Sequence, residues 1–382
     1  MAQPFPVPFA TSRRGTIGIE WELALVDADS GDLRQCAATV LDELRPPGQS
    51  EHPMIKQELL LNTVEIVTGV NETVAGAARD IERAVGELRT VTDQLRVELM
   101  CAGTHPFARW TDQKVTDKQR YTTLIDRTQW WGRQMLIFGV HVHVGIEDQR
   151  KVLPIMRALL TVFAHLQSLS ASSPFWGGDT TGYASNRALM FQQLPTAGLP
   201  YQFADWGELE QYVGDLVHTG VIEEFNEVRW DIRPSPGLGT LEVRICDGTP
   251  SLLELRALAA LIHCLVEHFS SELDAGRELP TMPPWFVTEN KWRSARYGMD
   301  AIIILDREGN EELVTDSVTA WLRTLEPVAE RLGCLEDLDG VRTILRMGAS
   351  YQRQRAAARR NGGSLTAVVD LLTREMRADR PL

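Results

Sequence analysis

Five cysteines are all that 382 residues contain, and they are scattered, odd in number and free of any Cys-x-x-Cys pair. A disulfide framework and a thiolate zinc site are therefore not expected. Apolar residues nowhere run unbroken for the roughly 18–20 positions of a membrane span. The stretch Met1 to Phe9 has no basic region followed by an apolar core, so it does not read as a signal peptide, and the chain is expected in the cytoplasm. Positive charge is also short. Lysine and arginine total 39 against 52 aspartates and glutamates, a formal net charge of −13. That balance argues against a general nucleic-acid or anionic-membrane binder. No Gly-x-x-x-x-Gly-Lys-Ser/Thr loop occurs, which excludes a P-loop enzyme. Low-complexity linkers and internal repeats are missing too. One domain over 1–382 is expected, with residues 1–14 as an extension outside its core.

What is present is a set of short apolar stretches that carry charge on alternate residues. Strand side chains alternate between two faces. In Ile17 to Leu25 this sets Ile17, Ile19, Trp21, Leu23 and Leu25 against Glu20 and Glu22. Val140 to Val144 sets His141 and His143 opposite three valines, and Leu241 to Ile245 sets Glu242 and Arg244 opposite Leu241, Val243 and Ile245. Glu58 and Glu65 lie in another apolar run. They are seven apart, an odd step, so a bend near Asn62 or Thr63 must separate them. Helices are expected from Thr73 to Leu99, Leu153 to Leu169, Ser251 to Phe269 (opened by a Ser-x-x-Glu capping box), Asp316 to Leu332 and Ser364 to Met376. Turn formers crowd 171–200, which reads as a long mobile loop over a site. The five arginines between Arg346 and Arg360 read as a solvated helix face. Lys291, Arg293 and Arg296 read equally as solvated charge or substrate contacts. Cys246 and Cys264 read as packing residues. Strands separated by helices of varied order point to an α+β fold with a largely antiparallel sheet.

The charged face poses an electrostatic problem. Two carboxylates about 4 Å apart repel by roughly 4 kcal/mol at an effective dielectric near 20. Five together would exceed a domain's stability margin of about 5–15 kcal/mol. Glu20, Glu22, Glu58, Glu65 and Glu242 must separate, protonate or bind cations. Carboxylate oxygens with one imidazole, His141, suit Mg²⁺ or Mn²⁺ better than zinc. Arg229, Arg233 and Arg244 lie beside them in sequence, and a polyphosphate with divalent cations accounts for both sets of charge. Each element alone has a plainer reading: a solvated Glu-x-Glu edge, two satisfied histidines, an ordinary ion pair. Their joint occurrence with apolar opposite faces points to a site.

Gly18-Ile-Glu-Trp-Glu22, Gly103-Thr-His-Pro-Phe107, Gly139-Val-His-Val-His-Val-Gly145, Ser170-Ala-Ser-Ser-Pro174, Trp230-Asp-Ile-Arg-Pro-Ser-Pro236, Gly239-Thr-Leu-Glu-Val-Arg244 and Arg296-Tyr-Gly298 together resemble the second glutamate–cysteine ligase family. The closest likeness is to its bacterial carboxylate-amine ligases. The resemblance implies a glutamine synthetase/guanido kinase-like fold, a curved antiparallel sheet with its site on the concave face and helices behind. It implies ATP-dependent joining of glutamate to cysteine through an acyl phosphate, with Mg²⁺ or Mn²⁺. It further implies metal ligation by Glu20, Glu22, Glu58, Glu65, His141 and Glu242, phosphate contact by His143, and arginines around the transferred phosphoryl at Arg233 and Arg244. Arg187, His105 and Arg296 become candidate amino-acid contacts. A homodimer is expected from the prevalence of two-fold oligomers. The competing readings are a ligase for another amine or acid, a phosphagen kinase, a metal-dependent hydrolase, and a relative that binds nucleotide or amino acid without turnover.

Overall fold

The computed structural model describes residues 3–382. In chain order the strands are β1 (Ile17–Asp27), β2 (Ile55–Gln57), β3 (Thr63–Val67), β4 (Val97–Met100), β5 (Val140–Gly145), β6 (Phe175–Trp176), β7 (Asp179–Thr180), β8 (Ile232–Ser235), β9 (Thr240–Val243), β10 (Ile302–Ile304) and β11 (Glu311–Leu313). The helices are α1 (Ala37–Glu43), α2 (Val74–Thr92), α3 (Gln119–Arg133), α4 (Gln149–Ser170), α5 (Asn186–Phe191), α6 (Trp206–His218), α7 (Leu252–Asp274), α8 (Pro284–Tyr297), α9 (Val314–Leu332), α10 (Leu335–Met347), α11 (Ser350–Arg360) and α12 (Thr366–Ala378).

Seven strands form one open antiparallel sheet in the order β2-β3-β1-β5-β9-β8, with β4 also on β1. This is the expected α+β architecture. The long strand β1 organises it. One edge pairs with β3, while the other pairs first with β5 and then, from Ala24 onward, with β4. The period-two alternation holds: Ile17, Ile19, Trp21, Leu23 and Leu25 are all buried in the main core beneath α2, α4 and α7. The opposite face is not polar throughout. Past Glu22 it carries Ala24 and Val26, which a second apolar cluster from α11, α12, Leu60 and Phe138 covers.

Two helix expectations are confirmed at their starts by side-chain caps. Thr73 accepts from the Gly76 N–H, and Ser251 accepts from the Glu254 N–H while its hydroxyl donates to the Glu254 carboxylate at 2.7 Å. The helix expected to reach Leu99 stops at Thr92. Arg96 adopts φ +54, a left-handed turn, and the next four residues become strand β4 against β1. Leu95 and Leu99 also fit the helical period, so only the pairing with β1 separates the strand from the helix. The N-terminal segment is also not outside the core: Val7 is buried, its carbonyl accepts from the Trp206 indole at 3.0 Å, and Ala10 donates to Pro236.

Within the expected loop, exposure is confined to the tip Gly177–Thr180 and to Gln192, Gln193 and Pro195, and most of the rest is buried or partly buried. Helix α4 is long and apolar enough to cross a membrane, but 89% of its apolar window is packed inside the protein. The five arginines near the C-terminus are not one solvated face either. Arg353 is buried and pairs with Glu254 (2.8 Å) and Glu375 (2.7 Å), joining α7, α11 and α12. Lys291 likewise pairs in the interior with Asp231 at 2.6 Å, whereas Arg293 makes surface pairs with Glu289 and Glu311. Removing one partner of a buried triad leaves uncompensated charge. Arg353→Ala should therefore cost about 3–5 kcal/mol of unfolding free energy, read as a lower midpoint in urea denaturation.

Candidate active site

Strand register assembles the site. Across β1 and β3, Glu22 stands directly opposite Glu65; across β1 and β5, Glu20 stands opposite His141. His143 is opposite Glu242 across β5 and β9, and Glu242 is opposite Arg233 across β9 and β8. Residues opposite one another in an antiparallel ladder share a face. One band of side chains thus runs over five strands, acidic at the β3 end and rich in guanidinium at the β8 end. Glu58 joins the acidic end from the turn after β2. The chain reverses there before β3 starts at Thr63, which is the bend that its odd spacing from Glu65 requires.

Glu22 sits where β1 exchanges partners. Its backbone N–H donates to the Gly139 carbonyl at 3.2 Å, and its carboxylate accepts from the Gly139 N–H at 2.5 Å. His141 Nδ1 lies 2.8 Å from Glu20, and His143 lies 3.2 Å from Glu20 and 2.9 Å from the Thr240 hydroxyl. Glu242 is buried with both oxygens engaged: Arg233 Nε donates to one at 2.6 Å, and Arg244 donates to the other.

The resulting protonation pattern is uneven. Burial, then the neighbouring Glu58 charge, pushes Glu22 up to about 7, and burial with Glu58, Glu20 and Glu22 pushes Glu65 well above the usual carboxylate range. Burial acts upward on Glu20 too, but its hydrogen bonds to His141 and His143 prevail and hold it low. Burial lowers His141 to about 4, keeping its imidazole neutral and able to ligate. Glu242 is held low because Arg244 and Arg233 outweigh its burial.

Two ligand sets follow. Donor atoms of Glu20, His141 and Glu242 lie within 4.8 Å of one another, as do those of Glu22, Glu65 and His141. Carboxylate-rich sets with one neutral imidazole, in which like charges are forced together, fit a hard divalent cation.

Arg187 of α5 reaches the same place. Its guanidinium passes so close to Gly139 that a Cβ there would stand 2.1 Å from Nη2, and it donates weakly to the Arg244 and Ile245 carbonyls at 3.4 Å. Its Nε is buried without a partner. Asp247 builds the platform beneath it, accepting from the Ser172 N–H (3.0 Å), the Ser173 hydroxyl (2.7 Å) and the Ser185 hydroxyl (2.8 Å). Ser185 in turn caps α5. Asp247 was not singled out from the sequence, where Asp247-Gly248 reads as an ordinary turn. Arg120 and Tyr121 at the start of α3 were also missed. Both carry the electrostatic influence of Glu58 and Glu65, and nothing in their local pattern marks them.

Two expected substrate contacts are placed elsewhere. His105 is buried with both ring nitrogens committed to backbone, Nε2 to Gly31 at 2.9 Å and Nδ1 to the Ala108 N–H at 2.9 Å, so it braces a loop and has no free edge. Arg296 donates to the Gly182 carbonyl and stacks on Tyr183 and Tyr297; it holds the end of the β6–β7 segment rather than entering the carboxylate cluster. Cys246 is buried, as packing predicts.

Known proteins supply an independent line. The family model described as glutamate-cysteine ligase family 2 matches residues 16–370. A protein of Leifsonia xyli subsp. xyli, named "Putative glutamate--cysteine ligase 2", is 59% identical over 369 residues, covering 97% of this chain and 98% of its own. One of the same name from Mycobacterium tuberculosis is 57% identical over 370 residues, covering 97% of each. Among solved structures, glutamate–cysteine ligase of Francisella tularensis in complex with AMP superposes with a TM-score of 0.67 at 15% identity, over 98% of this chain and 91% of that one. A bifunctional glutathione synthetase of Pasteurella multocida gives 0.66 at 14%, over 95% and 52%. At such identities the structural likeness speaks for the fold alone.

The raised Glu22 fixes the sign of a pH dependence. Between 4.5 and about 7 the folded, metal-free protein holds a proton that the unfolded chain releases, so its stability should fall as pH rises through that window. Unfolding free energies from urea titrations in chelator should show this slope, and Glu22→Gln should flatten it.

Proposed function

Because the chain belongs to glutamate-cysteine ligase family 2 and is thereby an ATP-dependent ligase, we propose that it joins the γ-carboxylate of L-glutamate to the amine of L-cysteine, giving γ-glutamylcysteine, ADP and phosphate. The observation that carries this reading is the single band of side chains in which a carboxylate cluster adjoins a guanidinium cluster. Transfer of a phosphoryl group to a carboxylate brings together negative charges that water would keep apart. A site for it needs cations fixed before the substrates arrive.

Glu20, His141 and Glu242 would hold one Mg²⁺ or Mn²⁺ ion, and Glu22 and Glu65, with Glu58 beside them, a second; His141 lies within reach of both but has one lone pair to give. Such ions, when bound, neutralise and orient the phosphate oxygens. Arg233 and Arg244 are held in place by Glu242, so their guanidiniums meet the γ-phosphoryl group without first reorganising. His143, between Glu20 and Thr240, is placed to contact phosphate. Arg187, with an unused donor, is suited to an amino-acid carboxylate. The glutamyl phosphate forms as the γ-carboxylate oxygen takes the phosphoryl group and ADP leaves. The cysteine amine then attacks the carbonyl carbon, expels phosphate and loses a proton. The exposed tip of the β6–β7 segment, next to the Gly182 carbonyl that Arg296 holds, would exclude water from that intermediate. A cytoplasmic homodimer is the setting we propose.

A second reading, a different amine acceptor, is separated by an acceptor screen. ATP, Mg²⁺, glutamate and each candidate amine are combined, and the amide product is weighed by mass spectrometry. γ-Glutamylcysteine as the main product is expected; a faster amide from another amine would displace cysteine. Glu22→Gln should lower turnover by at least about 100-fold, the scale on which loss of a preorganised electrostatic element acts, with the circular-dichroism spectrum unchanged.

A further inference from the structure

The large apolar side chains left exposed are not spread evenly over the surface. Trp285, Trp292, Tyr297, Ile302 and Leu313 fall together on α8 and the β10–β11 ribbon. Single exposed apolar residues are ordinary, but a contiguous group marks an interaction face. Trp285 and Trp292 are seven apart and so share the outer face of α8 with Glu289. Trp292 stands edge-on to Tyr297, with ring centroids 5.7 Å apart. Ile302 and Leu313 are register partners across β10 and β11, so they share one face of the ribbon.

This face is fixed before any partner arrives. The Asn290 amide grips Ile304 of β10 twice, donating to its carbonyl at 2.7 Å and accepting from its N–H at 2.8 Å. Arg293 donates to the Ile302 carbonyl at 3.1 Å and pairs with Glu289 and Glu311, which ties helix to ribbon from the outside. Between them lies a groove of about 460 Å³, whose walls include Trp292, Tyr297, Asp300 and Ile302. Trp285, 67% exposed, projects from the first turn of the same helix, beyond the groove.

A projecting indole and an open groove on one surface are the two halves of a contact between identical chains. A two-fold axis passing beside Trp292 and Arg293 lays two α8 helices antiparallel. Trp285 then meets the Tyr297–Ile302 end of the groove on the other copy, and the same operation fills the second groove with the second indole. Charge agrees with this direction. The outer face of α8 runs from acidic at Glu289 to basic at Arg293 and Arg296, so an antiparallel copy brings Glu289 towards Arg296. A parallel arrangement would set like charges together. Resting on the homodimer proposed above, we infer that α8 and the β10–β11 ribbon form its interface, an isologous face in which each Trp285 enters the groove of the other copy.

The test uses the full-length protein. Wild type should sediment at twice the chain mass at micromolar concentration. Trp285→Glu and Ile302→Glu should each raise the dimer dissociation constant by at least about tenfold, the scale of a lost interface anchor, and the double variant should be monomeric. All should keep the circular-dichroism spectrum and a cooperative melt, since both side chains are exposed in the single chain. Trp292→Cys, close to the axis, should cross-link to its own copy under copper-phenanthroline, whereas Leu238→Cys, exposed on the β8–β9 turn, should not. Dimers undiminished in the glutamate variants, or cross-linking equal at 238 and 292, overturn this interface and leave the homodimer standing. A wild-type protein that stays monomeric overturns both, while the ligase reading is judged separately by the amide product.

Discussion

Glu22 and Glu65 cannot move apart. They stand opposite each other in an antiparallel ladder, and separating them means breaking main-chain hydrogen bonds on both sides of β1. A surface carboxylate pair relaxes by rotating into water; here both residues are only partly exposed, flanked by the apolar cluster above Ala24 and the buried faces of β1 and β3. The repulsion is thus a fixed property of the fold, answered by a proton in the bare protein and, on the proposed function, by a divalent cation in the working one.

Much of the remaining architecture keeps that arrangement rigid. Helices α2, α4 and α7 press on the apolar face, so the register that faces glutamate to glutamate is also the register that buries Trp21 and Leu23. A slip of one residue would expose both and scatter the acidic set. At the other end, Glu242 fixes two arginines, and the three serine contacts to Asp247 hold the start of the helix that bears Arg187. Gly139 has a steric reason to lack a side chain, because the Arg187 guanidinium occupies that space.

Legibility in the sequence followed the range of the physics. Alternation with period two is local, so Glu20, Glu22, His141, His143, Glu242 and Arg244 could be assigned to strand faces before any strand was paired. The odd spacing of Glu58 and Glu65 even located a bend. Non-local facts were not available. A seven-residue apolar rhythm carried the expected helix past Thr92 because nothing in Leu95 to Leu99 announces that β1 offers these residues a free edge. His105 carried the right functional group in a motif, but its ring nitrogens are consumed by Gly31 and Ala108, a contact across 74 residues. Arginine counting near the C-terminus failed for the same reason: Arg353 finds its partners at Glu254 and Glu375, on other helices. Residues 1–14 look peripheral by composition, yet Val7 fills a place that α6 leaves beside it.

His141 belongs to both candidate ligand sets, and an imidazole with one nitrogen turned to Glu20 has a single lone pair left to give. The two positions are then not interchangeable vessels that fill separately. An ion in one would take that lone pair, so an ion in the other would lean on carboxylates and on phosphate oxygens brought by the nucleotide. On the proposed function, such a centre would gather its full complement of metal only when there is something to phosphorylate with.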